Sequence, residues 1–140
     1  MINYQKILNQ NIRNVLKDIL KQIEKDGISG NNQLYITFST IDKRVKIPKW
    51  LKEKYPSEMT IIIQYEFYNL KVNENNFCIT LSFSDINTEL KIDYNSVISI
   101  ADPVANFGLK FNEDSKIKTK KENNHKIKNN IISFSNYKKK

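Results

Sequence analysis

The sequence predicts a mainly β protein of the α+β kind: one N-terminal helix, then a small antiparallel barrel or sandwich, then a disordered C-terminal tail. Three observations predict it. The apolar period changes from three or four residues to two at Leu34. The strand-like runs that follow are separated by turns of roughly three to six residues with almost no helix between them, which favours antiparallel pairing. Beyond Asn112 the chain turns into a polar run of Lys, Asn and Glu. At 140 residues and 16.5 kDa the whole is one domain's length.

Residues 2–26 carry Leu8, Ile12, Val15, Leu16, Ile19, Leu20 and Ile23 at three- and four-residue steps, one broad apolar stripe of an amphipathic helix. Gly27 and Gly30 end it. The stripe has to cover either its own domain or a second copy. Leu34, Ile36 and Phe38 alternate with Tyr35, Thr37 and Ser39, the pattern of a half-buried strand. Pro48 and Pro56 bracket Lys49–Tyr55, room for one or two helical turns. Met59 to Phe67 is a long β-branched and aromatic run, and extended character continues to Val72. Asn73–Asn76 is turn material. Phe77, Ile79, Leu81 and Phe83 alternate with Cys78, Thr80, Ser82 and Ser84. A turn over Asp85–Thr88 leads to a short strand, Glu89–Asp93. Asn95–Ile100 suits either a strand or a helical turn, and Ala105–Phe111 is a last strand, giving about six strands in all.

The net charge of +8 is local. Residues 1–114 hold 14 basic and 14 acidic side chains, whereas 115–140 hold nine Lys and one Glu. The body is therefore neutral. With two Arg against 21 Lys, the basic excess lacks the planar forks that grip phosphate bidentately. No run approaches the ~20 apolar residues of a spanning helix. The first residues lack the basic start and apolar middle of a secretory signal. A single cysteine, Cys78, allows no internal disulfide and fits a reducing compartment, so a cytoplasmic location is expected.

Catalytic chemistry has little to draw on. The one histidine, His125, lies in the polar tail, so a Ser–His or Cys–His pair would need that tail brought back. No Cys/His cluster suits a metal, no glycine-rich loop suits a phosphate, and no cofactor is expected. A binding module, not an enzyme, is the expectation. The run 113–130 holds only Ile117 and Ile127 as apolar residues and is too polar to offset chain entropy. Yet Ile131-Ile132-Ser133-Phe134-Ser135-Asn136-Tyr137 gathers four sizeable apolar residues at its end, either a docking motif or a last strand folding back.

Particular blocks carry a family resemblance. Leu34-Tyr35-Ile36-Thr37-Phe38, Val45-Lys46-Ile47-Pro48 and the stretch Lys54-Tyr55-Pro56-Ser57-Glu58-Met59-Thr60-Ile61-Ile62-Ile63-Gln64-Tyr65-Glu66-Phe67 resemble SspB, the stringent starvation protein B family, in particular its alpha-proteobacterial branch. Phe77–Phe83, Leu90-Lys91-Ile92, Ala101-Asp102-Pro103 and Phe107–Phe111 continue the likeness. The resemblance implies a proteolytic adaptor with an Sm-like or SH3-like barrel. It would hold ssrA-tagged polypeptides in a groove and tether them to the N-terminal domain of ClpX for degradation by ClpXP.

It further implies a division of the chain into a substrate-binding domain over 1–112, with helix 2–26 and barrel 33–112, a linker over 113–130 and a ClpX-binding tail over 131–140. Ile131, Ile132, Ser133, Phe134, Tyr137, Lys138 and Lys139 match the tail motif. Leu8, Ile12, Val15, Leu16, Ile19 and Ile23 would form a homodimer surface. Gln64 corresponds to a glutamine that contacts the tag, and an amide that both donates and accepts suits a peptide backbone. Strand parity puts Ile62 and Glu66 on its face. Tyr65, Phe83, Ser84 and Ile86 are further groove candidates, although core packing explains the aromatics equally well. The alternative is a small-barrel RNA-binding protein with a basic tail, whose binding would fall steeply with salt.

Overall fold

A computed structural model describes residues 1–28 and 30–111. Helix α1 spans Tyr4–Asp26, two residues shorter at its start than the stripe suggested. Asn3 supplies the reason: its side chain caps the helix, accepting from the Lys6 N–H at 3.0 Å. Gly27, at φ +78°, closes the other end and donates to the Ile23 carbonyl at 2.7 Å.

Seven strands follow: β1 (Leu34–Ser39), β2 (Glu58–Ile63), β3 (Phe67–Val72), β4 (Asn76–Phe83), β5 (Ile86–Asp93), β6 (Val97–Asp102) and β7 (Phe107–Lys110), with helix α2 (Lys49–Lys54) between β1 and β2. They form two antiparallel sheets, one ordered β2-β1-β6-β7 and the other β3-β4-β5. An antiparallel bridge between Lys46 and Lys91 adds the segment before α2 to the free side of β5. The mainly β expectation with an N-terminal helix holds. One core joins the inner faces: Leu34, Ile36 and Phe38 of β1, Met59, Ile61 and Ile63 of β2, Phe77 and Ile79 of β4, and Leu90 and Ile92 of β5 are all buried.

The helical stripe divides in two. Ile12, Leu16, Leu20 and Ile23 are buried within this one chain and belong to its core. Side-chain hydrogen bonds lay the helix against its own domain. Arg13 Nε donates to the Tyr94 carbonyl at 3.2 Å, Lys17 Nζ to the Glu74 carbonyl at 3.1 Å, and the Val72 N–H to a Glu24 carboxylate oxygen at 3.2 Å. Leu8 and Ile19 are half-buried, while Val15, Tyr4 and Ile7 stay exposed. The period of an amphipathic helix gives the width of the stripe but not which sheet lies beneath it.

Several boundaries differ from the sequence reading. The run from Met59 to Phe67 is not one strand: β2 stops at Ile63, residues 64–66 bend, and β3 begins at Phe67. The turn expected over Asp85–Thr88 is only Ser84–Asp85, with φ of +52° and +67°, a two-residue hairpin loop of the type I′ kind. Asn95–Ile100 resolves into both alternatives, a 3-10 turn at Tyr94–Ser96 and then β6. The last strand is shorter than Ala105–Phe111, because Asp102–Asn106 is spent on the turn that the Asp102 carboxylate caps through Val104 and Ala105 N–H. The linker and tail assigned to 113–140 lie outside the described residues.

The left-handed Ser84–Asp85 loop makes a testable point. Neither residue is the glycine that such a loop favours. Asp85→Gly is expected to stabilise the fold by about 0.5–1 kcal/mol, read as a rise of a few degrees in the thermal midpoint. An unchanged or lower midpoint would contradict the assigned loop geometry.

Candidate peptide-binding site

The register of β1 against β2 builds the site. Leu34 pairs with Ile63 and Tyr35 with Ile62, so inward and outward residues alternate in step on both strands. Tyr35 and Thr37 face outward beside Ile62 and Thr60, and the two threonine hydroxyls meet at 2.7 Å. Ile62 is 45% exposed, unusual for an isoleucine, because it lies on this outer face of an edge strand. Just past the Leu34–Ile63 pair, which ends the ladder, stand Gln33 and Gln64. Their side chains join, Gln33 Nε2 donating to Gln64 Oε1 at 3.1 Å. The Tyr35 hydroxyl donates to Gln33 Oε1 at 3.3 Å.

Strand parity reaches Ile62 and Ile63, and Gln64, the first residue of the bend, meets Gln33 through its side chain. Parity carries no further. Because the chain bends at 64–66, Glu66 is not placed by β2, and its expected alignment with Gln64 along a strand fails for that reason. Glu66 is exposed, and so is Tyr65, at 73%.

The other candidates come from the β4–β5 hairpin. Phe67 pairs with Leu81, which directs the residues before Phe67 toward Phe83 and the hairpin loop. Phe83 is half-buried opposite Ile86, Ser84 is exposed in the loop itself, and Ile86 is 53% exposed. The bend and the hairpin end thus lie at the same end of the β3–β4 pair. Exposed Tyr68 on β3 adds apolar surface that the sequence reading did not assign. Gln33 and Tyr35 were missed as well. Their i, i+2 spacing was visible, but the side-chain contact joining Gln33 to Gln64 depends on a pairing between segments some thirty residues apart.

Elsewhere the surface offers different chemistry. A cavity of about 300 Å³ is lined by Gln10, Arg13, Asn14, Asn75, Tyr94 and Asn95, and another of about 230 Å³ lies between α1 and Asp102. Neither includes a groove candidate. Burial, more than the nearby Glu24 and Asp93 carboxylates, pushes the Tyr94 phenol well above its ordinary pKa, and its hydroxyl donates to the Asn73 carbonyl at 2.9 Å. Among the described residues no group of three or more His, Cys, Asp or Glu is placed to hold a metal ion. No described helix is long and apolar enough to cross a membrane.

A small β module with a helix packed on it, and an exposed polar–apolar edge, has the build of a protein that binds other polypeptides. The family model for Stringent starvation protein B matches residues 6–138, nearly the whole chain, and the protein belongs to that SspB family. Membership gives it an adaptor-type role in broad terms. No curated protein matches the chain.

Proposed function

We propose that this protein is a proteolytic adaptor that binds ssrA-tagged polypeptides and tethers them to ClpX for degradation by ClpXP in the cytoplasm. The observation that carries the reading is Gln64. It stands at the end of an edge strand, half-buried and held by Gln33, with Ile62 and Tyr65 exposed beside it. An extended peptide needs main-chain hydrogen-bond partners and a few apolar contacts, and this edge offers both. Ile62, Tyr65, Glu66, Phe83, Ser84 and Ile86 complete the proposed groove.

The tail residues Ile131, Ile132, Ser133, Phe134, Tyr137, Lys138 and Lys139 are the proposed ClpX-docking motif, and the family match reaches as far as Lys138. The run 113–130, 18 residues, is the proposed linker between the groove domain and this motif. For a homodimer, the half-buried and exposed line of Leu8, Val15 and Ile19, with Tyr4 and Ile7, is the part of α1 left at the surface.

Fluorescence anisotropy with a labelled ssrA peptide tests the groove. Saturable binding is expected, and Gln64→Ala should weaken it about tenfold, the worth of one buried hydrogen bond and its packing, with the thermal midpoint nearly unchanged. Wild-type affinity in that variant would remove Gln64 from the site. A labelled RNA serves as the contrasting probe: RNA binding that collapses with salt while the tag peptide fails to bind would favour the small-barrel alternative.

A further inference from the structure

The groove reading leaves open which half of the Gln64 amide meets the ligand, and the residues behind Gln64 answer it. The Tyr35 hydroxyl donates to Oε1 of Gln33 at 3.3 Å, and Nε2 of Gln33 donates to Oε1 of Gln64 at 3.1 Å. This relay has a direction. In the arrangement seen here the phenol gives its one proton to the Gln33 carbonyl, which leaves the Gln33 NH2 turned toward Gln64. One of the two lone pairs on the Gln64 carbonyl is then taken from behind. Within the described residues no hydrogen bond takes up Nε2 of Gln64.

We infer that Gln33 and Tyr35 are positioning residues that fix Gln64 as a hydrogen-bond donor, so that the groove selects a carbonyl oxygen on the bound peptide at this point. The inference rests on the reading of Gln64 as a tag contact. An unrestrained glutamine would offer either half of its amide, and a ligand would have to spend binding energy on ordering it. Here the relay orders it beforehand with its NH2 toward the ligand, so a ligand carbonyl brought there meets a donor and a ligand N–H does not find its match.

Two substitutions at Gln33 separate orientation from packing, read by anisotropy of a fluorescein-labelled ssrA peptide. Gln33→Met keeps the volume and removes the relay, leaving Gln64 free to turn; affinity is expected to fall about threefold. Gln33→Glu reverses the relay at pH 7.5. A carboxylate only accepts, so Gln64 swings its NH2 inward and presents its carbonyl to the ligand; affinity is expected to fall about tenfold or more. As the pH falls toward 4.5 the introduced carboxyl regains a proton it can donate to Gln64 Oε1. The ratio of variant to wild-type affinity should then climb back, whereas the same ratio for Gln33→Met stays flat.

Equal losses in the two variants with no pH response would overturn the inference and reduce Gln33 to packing. Tighter binding by Gln33→Glu would overturn it by showing the opposite polarity. A wild-type protein that binds no tag peptide, or a Gln64→Ala variant that binds as wild type does, defeats instead the assignment of Gln64 to the groove.

Discussion

Removal of Ile131–Lys140 is expected to leave tag-peptide affinity within about twofold of wild type and to return ClpXP turnover of a tagged reporter to its adaptor-free rate. The argument is one of local concentration. A tether of 18 residues holds its cargo at an effective concentration of roughly millimolar near the docking point. Against a reporter at about 10 µM that is on the order of a hundredfold enrichment, and it vanishes when either end of the tether is cut. The proposed groove is drawn from β1, β2, the 64–66 bend and the β4–β5 hairpin, none of which includes this segment. Turnover assayed at reporter concentrations below saturation checks the claim. Parallel loss of peptide binding and turnover would mean that the tail takes part in tag recognition and that the two tasks are not divided.

Leu16→Ala is expected to destabilise the protein by about 3 kcal/mol and lower its thermal midpoint by about 10 °C at every protein concentration. Leu16 is completely buried on α1 within the single chain, alongside Leu20. Truncating it leaves a cavity in the same core that holds Ile36, Phe38 and Phe77. Val15→Lys, one position away on the exposed side of the helix, should move the midpoint by no more than a degree or two. If the proposed dimer uses that side, Val15→Lys also lowers the association measured by sedimentation. A midpoint for Leu16→Ala that depends on protein concentration would show that the residue stabilises an assembly, not the isolated fold.

These cases show what the sequence could disclose. Strands β1 and β4 were plain because each alternates cleanly, with Leu34, Ile36 and Phe38 or Phe77, Ile79 and Leu81 on one face and polar or small residues on the other. The break inside Met59–Phe67 was hidden: Tyr65 and Phe67 have strong strand propensity, and no glycine or proline marks the bend. The Ser84–Asp85 loop was blurred because neither residue announces a positive φ as glycine would. In the candidate site, Gln64 was proposed from the family resemblance and Ile62 from parity with it, whereas Gln33 and Tyr35 gain their meaning only from side-chain contacts across the chain. The proposed tail motif rests on composition alone, apolar residues at the end of a polar run, and lies outside the described residues.

The bend between β2 and β3 also bears on how such a protein can change over time. Tyr65 and Glu66 lie outside both sheets and outside the core, and they connect two units each stabilised by its own ladder. Substitution at either position disturbs no buried contact and should alter stability by about 0.5 kcal/mol or less. If the proposed groove uses these two positions, recognition can drift there while the architecture stays fixed, by single steps that are each foldable.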